Sequence, residues 1–188
     1  VAHRLGHRSR WFWASHVNHH SSQHYNLSTA LRQTWTGFFA ANFAFRIWPV
    51  FIGFHPAMIA TCGAINLIYQ FWIHTELVGS LGFLEKWLNT PALHRVHHHP
   101  ERQWHDHNYG NVFSFWDRLF GTLVLPATSA PTTRVDTVGL ADWPASQSRG
   151  FWRTLAMPFL RPAAINSRSD TPTPRPKSRH RSMQDRPS

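Results

Sequence analysis

Pro56-Ala57-Met58-Ile59-Ala60-Thr61-Cys62-Gly63-Ala64-Ile65-Asn66-Leu67-Ile68-Tyr69-Gln70-Phe71-Trp72-Ile73 carries no charged side chain over eighteen residues. At roughly 1.5 Å per residue, a helix of that length nearly crosses the ~30 Å hydrocarbon core of a bilayer. The stretch is read as a membrane helix. Trp35 to Phe54, just before it, is as long but contains Arg46 and Pro49, and a charge at a helix centre costs about 2.5 to 3.5 kcal/mol on insertion scales. Gly53-Phe54-His55-Pro56 is a turn signal between the two. The pair is therefore expected to form a membrane hairpin over about 35–73 with an uncharged tip. A soluble protein with two long buried core helices is the competing reading, supported by Arg46 and a mean hydropathy of −0.36.

A hairpin places its two ends on one membrane face. Arg8, Arg10, Arg32, Lys86, Arg95 and Arg102 flank those ends, which the positive-inside rule makes cytoplasmic. The expected location is an integral membrane protein of the bacterial inner membrane or the endoplasmic reticulum, with its polar part in the cytosol.

That polar part is rich in histidine. The chain has fifteen His and a single Cys, Cys62, so an internal disulfide and a thiolate metal cage are both excluded, and imidazole must do most of any metal binding. His3 and His7 stand four apart. His16, His19 and His20 stand at i, i+3 and i+4, and His94, His97 and His98 repeat that pattern. Such spacings put rings on one helix face, where two can reach one ion. With His74, at the end of the apolar segment, there are nine candidate ligands, too many for one tetrahedral zinc and suited to two ions with open positions. A zinc hydrolase would show a helix-borne His-Glu-x-x-His, and none is present. Glu76, Asp106, Asn108 and Asp117 are expected to hold imidazole N–H groups in the ligating tautomer. His24, His55, His99, His105 and His107 fall outside the pattern and are left out of the site.

The formal charge of +10 invites a nucleic-acid reading, but the basic residues form no aromatic-interleaved stripe and many follow Arg149. No nucleic-acid partner is expected. Residues 1–125 are read as one catalytic domain. A linker with an interfacial segment over Phe151 to Leu160 follows at 126–160, and then a disordered basic tail at 161–188, whose Pro, Ser, Thr and Arg composition cannot bury enough surface to offset its ordering. The fold class expected is all-α: a membrane hairpin carrying a cytosolic, helical, histidine-rich dimetal domain.

Several runs are more specific than spacing alone. His3-Arg4-Leu5-Gly6-His7 matches a His-Arg-x-x-His pattern, and Trp13-Ala14-Ser15-His16-Val17-Asn18-His19-His20-Ser21-Ser22 matches Trp-x-x-His-x-x-His-His-Ser-Ser. Tyr25-Asn26-Leu27-Ser28-Thr29-Ala30-Leu31-Arg32-Gln33, Tyr69 to Glu76, Asn89-Thr90-Pro91, His94-Arg95-Val96-His97-His98, Asn108-Tyr109 and Trp116 to Thr122 follow in order. From His3 to about Leu125 these motifs resemble the fatty acid hydroxylase / sterol desaturase superfamily of integral-membrane diiron enzymes, most closely its alkylglycerol monooxygenase-like branch. His99 stands where that branch has Gly. The resemblance also implies membrane helices and an Asp-x-x-Tyr-Tyr-type run ahead of the first motif. The chain opens on Val1-Ala2-His3 and is expected to be a piece that starts inside a longer protein.

The resemblance implies two iron ions, O2 as co-substrate and a lipid as substrate. It also implies an external electron donor, whether tetrahydrobiopterin, cytochrome b5 or a ferredoxin chain, since no flavin, haem or nicotinamide motif is visible. The activity implied is O2-dependent hydroxylation of a lipid C–H bond, with no catalytic residue separate from the metal ligands. Desaturation within the same superfamily, and a non-catalytic metal-storage or transport role, are the alternatives.

Overall fold

A computed structural model describes residues 1–38, 41–125, 138–140 and 150–159. The expected disordered tail and most of the expected linker lie outside these residues. The described part is mostly helical and contains no strand, only an isolated antiparallel bridge between Leu88 and Phe113.

Four short helices lead the chain: α1 (Ala2–Arg8), α2 (Arg10–Ala14), α3 (Val17–His20) and α4 (Leu27–Leu31). Asn26 starts α4 through a reciprocal box, its side chain accepting from Ser28 N while Thr29 Oγ1 accepts from Asn26 N, which satisfies donors a helix start leaves free. A 3-10 turn, Trp35–Phe38, precedes α5 (Ala41–Phe51). The long helix α6 (Pro56–Ile73) follows, then α7 (Pro91–His97), α8 (Phe115–Leu119) and α9 (Phe151–Ala156).

α6 forms as the sequence reading expects. His55 caps it, its Nδ1 accepting from Ala57 N, and Pro56 takes the first turn, where a missing N–H costs nothing. Its length is roughly 27 Å at 1.5 Å per residue, and it is the one described helix long and apolar enough to cross a membrane. A core helix of a soluble protein would be covered, whereas only 6% of α6 is buried, and Met58, Ile65, Leu67 and Ile68 are exposed.

The first half of the expected hairpin needs correction. Trp35 to Phe54 is not one crossing helix: α5 has eleven residues, roughly 16 Å, about half of what a crossing needs. Pro49 sits inside it and withholds a backbone donor. The stretch ahead is tied to the histidine helices, because Thr34 Oγ1 donates to Ser15 O, Thr36 Oγ1 to Ala14 O and Trp35 Nε1 to Leu155 O. α5 nonetheless packs beside α6: a Cβ added at Gly63 would lie 3.5 Å from Arg46 Nη1, so the glycine leaves room for the guanidinium at mid-height of α6.

Between the helix starts and ends sits a polar core. Tyr25 Oη donates to Ile73 O at the end of α6, and Arg95 Nη1 donates to Thr75 O and Val78 O in the loop beyond it. α7 is buried along its whole length and is started by Thr90, which accepts from Leu93 N and donates to the buried carboxylate of Glu85. These bonds fix α4, the base of α6 and α7 around one another.

Candidate metal centre

All nine histidines singled out by spacing converge, and they do so in two sets. The ligand atoms of His3, His7, His16, His20 and His97 lie within 4.8 Å of one another, as do those of His19, His74, His94 and His98. The partition follows helix geometry. Each i, i+4 pair, namely His3 with His7, His16 with His20 and His94 with His98, stays within one set. The i+3 members, His19 and His97, turn to the other set. The two sets adjoin: His20 stacks on His98 at 4.3 Å between centroids, and His16 stacks on His19 at 5.1 Å.

Backbone carbonyls fix several rings. His3 Nδ1 donates to Tyr109 O, His19 Nδ1 to Thr29 O, His74 Nδ1 to Gln70 O and His97 Nδ1 to His107 O. A carbonyl oxygen only accepts, so in each case the proton is on Nδ1 and the Nε2 lone pair is left for a ligand. Those lone pairs then face one another. His74 Nε2 lies 3.1 Å from His19 Nε2, although neither carries a proton to donate, and His94 Nε2 lies 3.1 Å from His74 Nε2. In the other set His3 and His20 approach His16 Nε2 at 2.9 and 3.1 Å. His7, His97 and His98 bury Nε2 atoms with no hydrogen-bond partner. Opposed lone pairs and orphaned acceptors are unfavourable unless a cation lies between them.

The spacing also bears on geometry. Two nitrogens about 2.1 Å from one ion lie about 3.0 Å apart at a right angle and about 3.4 Å apart at the tetrahedral angle. The four shortest separations, 2.9 to 3.1 Å, are close enough for those nitrogens to share one ion. The residues present therefore fit two nitrogen-ligated metal ions.

Electrostatics agree with that role. Burial, the largest cause throughout, pushes all nine imidazoles below their ordinary pKa, and for most of them neighbouring imidazoles push further. His74 is brought down to about 4, mainly by burial and against its bond to Gln70 O. Neutral imidazole is the form that binds metal.

The four polar residues expected to hold imidazole N–H groups act elsewhere. Asp117 accepts from Tyr109 N and Thr122 Oγ1 on one oxygen and from Gly110 N on the other, each at 2.7 Å. Asn108 donates to Leu93 O and Val124 O and accepts from Val124 N. Both brace the loop whose Tyr109 and His107 carbonyls orient His3 and His97, so they work one link further out. Asp106 accepts from Tyr109 Oη and pairs with Arg8 at 3.7 Å. Glu76 is exposed. Asp106 and Asn108 take positive φ, 64° and 51°, which these short polar side chains tolerate.

Aromatic walls went unassigned by spacing. Trp13 lies 5.3 Å from His7 and 5.6 Å from His20, Tyr25 stacks on His74 at 5.4 Å, and Tyr109 meets His3, His7 and His97 at 5.4 to 5.7 Å. Each sits in or beside a histidine motif, which was the available signal. His24, His55, His99, His105 and His107 belong to neither set. A cavity of about 570 Å³ opens beside His3, lined by Leu5, Tyr109, Trp116 and Phe120 with Arg4 and Arg8.

The described residues thus combine two adjoining nitrogen sets, a cavity beside them and one helix of membrane length. Residues 1–122 match the model of the fatty acid hydroxylase family, and the chain belongs to that family. It is similar to the alkylglycerol monooxygenase of Xenopus tropicalis, 47% identical over 123 residues that cover 65% of this chain and 27% of that protein. The Homo sapiens alkylglycerol monooxygenase is 47% identical over 120 residues, 64% of this chain and 26% of that protein. An ornithine lipid hydroxylase of Rhizobium tropici is 27% identical over 172 residues, 86% of this chain and 46% of that protein. The chain thus spans about a quarter of the length of the alkylglycerol monooxygenases it matches. No solved structure matches.

Proposed function

We propose that the chain is the catalytic segment, residues 1–125, of a membrane-bound non-haem diiron oxygenase that hydroxylates a lipid C–H bond with O2. The observation that carries this reading is the pair of adjoining imidazole sets, five and four, with opposed Nε2 lone pairs. His3, His7, His16, His20 and His97 would hold one iron, and His19, His74, His94 and His98 the other. When bound, the two irons would supply the O2-activating oxidation chemistry that no side chain provides. The choice of iron over zinc is supported by the match to the fatty acid hydroxylase family, and sets of five and four imidazoles would leave positions open for O2.

The protein's own groups do the positioning. Carbonyls of Tyr109, Thr29, Gln70 and His107 set the tautomers of four rings, and Asp117 and Asn108 hold the loop that presents two of those carbonyls. The cavity beside His3 seats an apolar chain against Leu5, Trp116 and Phe120, while Arg4 and Arg8 meet a polar head at its rim. α6 would lie in the bilayer, and the basic residues flanking its ends support a site on the cytoplasmic face. The balance is R–H + O2 + 2 e⁻ + 2 H⁺ giving R–OH + H2O, so an external donor of the tetrahydrobiopterin, cytochrome b5 or ferredoxin type supplies both electrons.

Names of the relatives suggest an alkylglycerol as the first probe. The test is turnover of nanodisc-reconstituted protein under ¹⁸O2 with reductant, read by mass spectrometry. Product carrying one ¹⁸O supports hydroxylation. Loss of two hydrogens with O2 consumed but no ¹⁸O in the product would indicate a desaturase, and metal without either product would leave a metal-binding role.

A further inference from the structure

We infer that residues 138–140 and 150–159, which follow the part matched by the family model, form a strap that positions the five-histidine set. This inference rests on the metal reading above. The strap's centre is Met157, only 2% exposed, which packs with Trp13 and Val17 in the one described hydrophobic core cluster, and Leu140 packs against the same cluster. Trp13 is the wall of the site: its ring contacts those of His7, His20 and His16, and all three belong to the five-histidine set. Met157 therefore backs the residue that three ligands lean on.

Polar ties bring the strap to the same helices. Asn18, between His16 and His19, donates its Nδ2 to Thr154 O, and Trp35 Nε1 donates to Leu155 O. Farther up, Val138 is buried, and Gly139, at φ +113°, passes so close to Ser22 that an added Cβ would lie 3.2 Å from Ser22 O. α2 and α3 have five and four residues, too short to hold their own shape, so tertiary packing must fix the directions of His16, His19 and His20. That packing comes from the histidine sets, from Thr29, Thr34 and Thr36, and from the strap. The four-histidine set depends less on it, because His94 and His98 ride on buried α7 and His74 on the end of α6. The docking of Met157 leaves Trp152 and Phe159 exposed, so it concerns the inner face of this segment and does not bear on the interfacial role expected for 151–160.

The consequence is selective. Loosening Met157 frees Trp13 and lets go the ion held by the five-histidine set before the other. Groups that orient ligands indirectly typically change metal affinity by about 10- to 100-fold when removed.

The experiment loads full-chain protein in detergent with iron, then follows release to a chelator at a temperature well below melting, for the parent, Met157→Ala, Met157→Leu and the exposed Arg153→Ala. The expected result is two release phases in the parent, one of them at least about tenfold faster in Met157→Ala, near-parent kinetics in Met157→Leu, which refills the volume, and no change in Arg153→Ala. If Met157→Ala does not fold, the smaller truncation Met157→Val is read the same way. Parent-like release from a folded Met157 truncation, or equal acceleration of both phases, overturns the strap while leaving the metal reading intact. A folded parent that binds no stoichiometric iron overturns both.

Discussion

Asp117 gives the sharpest prediction, because it touches no ligand and yet the geometry makes the site depend on it. Its carboxylate is 3% exposed and accepts three hydrogen bonds, from Tyr109 N, Gly110 N and Thr122 Oγ1. A hydrogen bond to a charged group contributes about 1.5 to 3 kcal/mol, and a buried donor left without a partner costs about 1 to 3 kcal/mol. Asp117→Asn keeps one acceptor oxygen and turns an NH2 toward a donor, so at least one bond is lost and one N–H is orphaned, a loss of about 2 to 4 kcal/mol. For a domain whose whole stability is about 5 to 15 kcal/mol, the melting temperature should fall by about 4 to 16 °C. The Tyr109 carbonyl then loses its anchor, His3 loses the partner that fixes its tautomer, and the five-histidine set should hold metal about 10- to 100-fold more weakly. Detergent-solubilised protein is assayed by thermal melting and by elemental analysis after dialysis against a weak chelator. An Asp117→Asn protein that melts with the parent and keeps its full metal content refutes the reasoning.

Three further outcomes follow from the same structure. His16→Ala and His19→Ala, three residues apart, should each deplete a different ion, leaving about half the metal in either variant and almost none in the double variant, as counted by elemental analysis; identical residual sites in the two single variants would break the partition. Gly110→Ala should disrupt the loop, because its Cβ would lie 2.5 Å from Phe113 O and 2.8 Å from Asp117 Oδ2, and a parent-like melting curve would contradict that crowding. Metal-stripped protein should lose stability as pH falls. The native imidazoles are held below the ordinary value of 6.5 by burial, so below about pH 6.5 the unfolded chain binds more protons than the fold and the difference accumulates down toward pH 4, where His74 titrates. Stability should be level above about pH 7.5, and melting curves that do not change between pH 8 and pH 5 would oppose this account.

What the sequence made legible was set by periodicity. The i, i+3 and i, i+4 spacings named eight imidazoles, position at the end of the apolar run named His74, and the uncharged run Pro56 to Ile73 became α6 with its bounds unchanged. How the ligands divide was not legible, because the division depends on where His19 and His97 point once α3 and α7 face each other. Asp117 and Asn108 were picked out as neighbours of the ligands, but their partners are backbone groups of a loop with positive φ at Asp106 and Asn108, and no residue pattern announces a carbonyl. The first half of the hairpin was misjudged in length, since apolar composition from Trp35 onward did not reveal that Thr34, Trp35 and Thr36 are hydrogen-bonded to the histidine helices and the segment around 150–159. The docking of Met157 was equally hidden, because the mostly apolar run Phe151 to Leu160 does not reveal which of its side chains turns inward.

The central claim is most directly tested by elemental analysis and Mössbauer spectroscopy of the purified protein beside the His97→Ala, His98→Ala double variant, which removes one ligand from each set. The account predicts about two irons per parent chain and loss from both sites in the variant. One tetrahedral zinc per chain, or no stoichiometric metal in a properly folded parent, would contradict it.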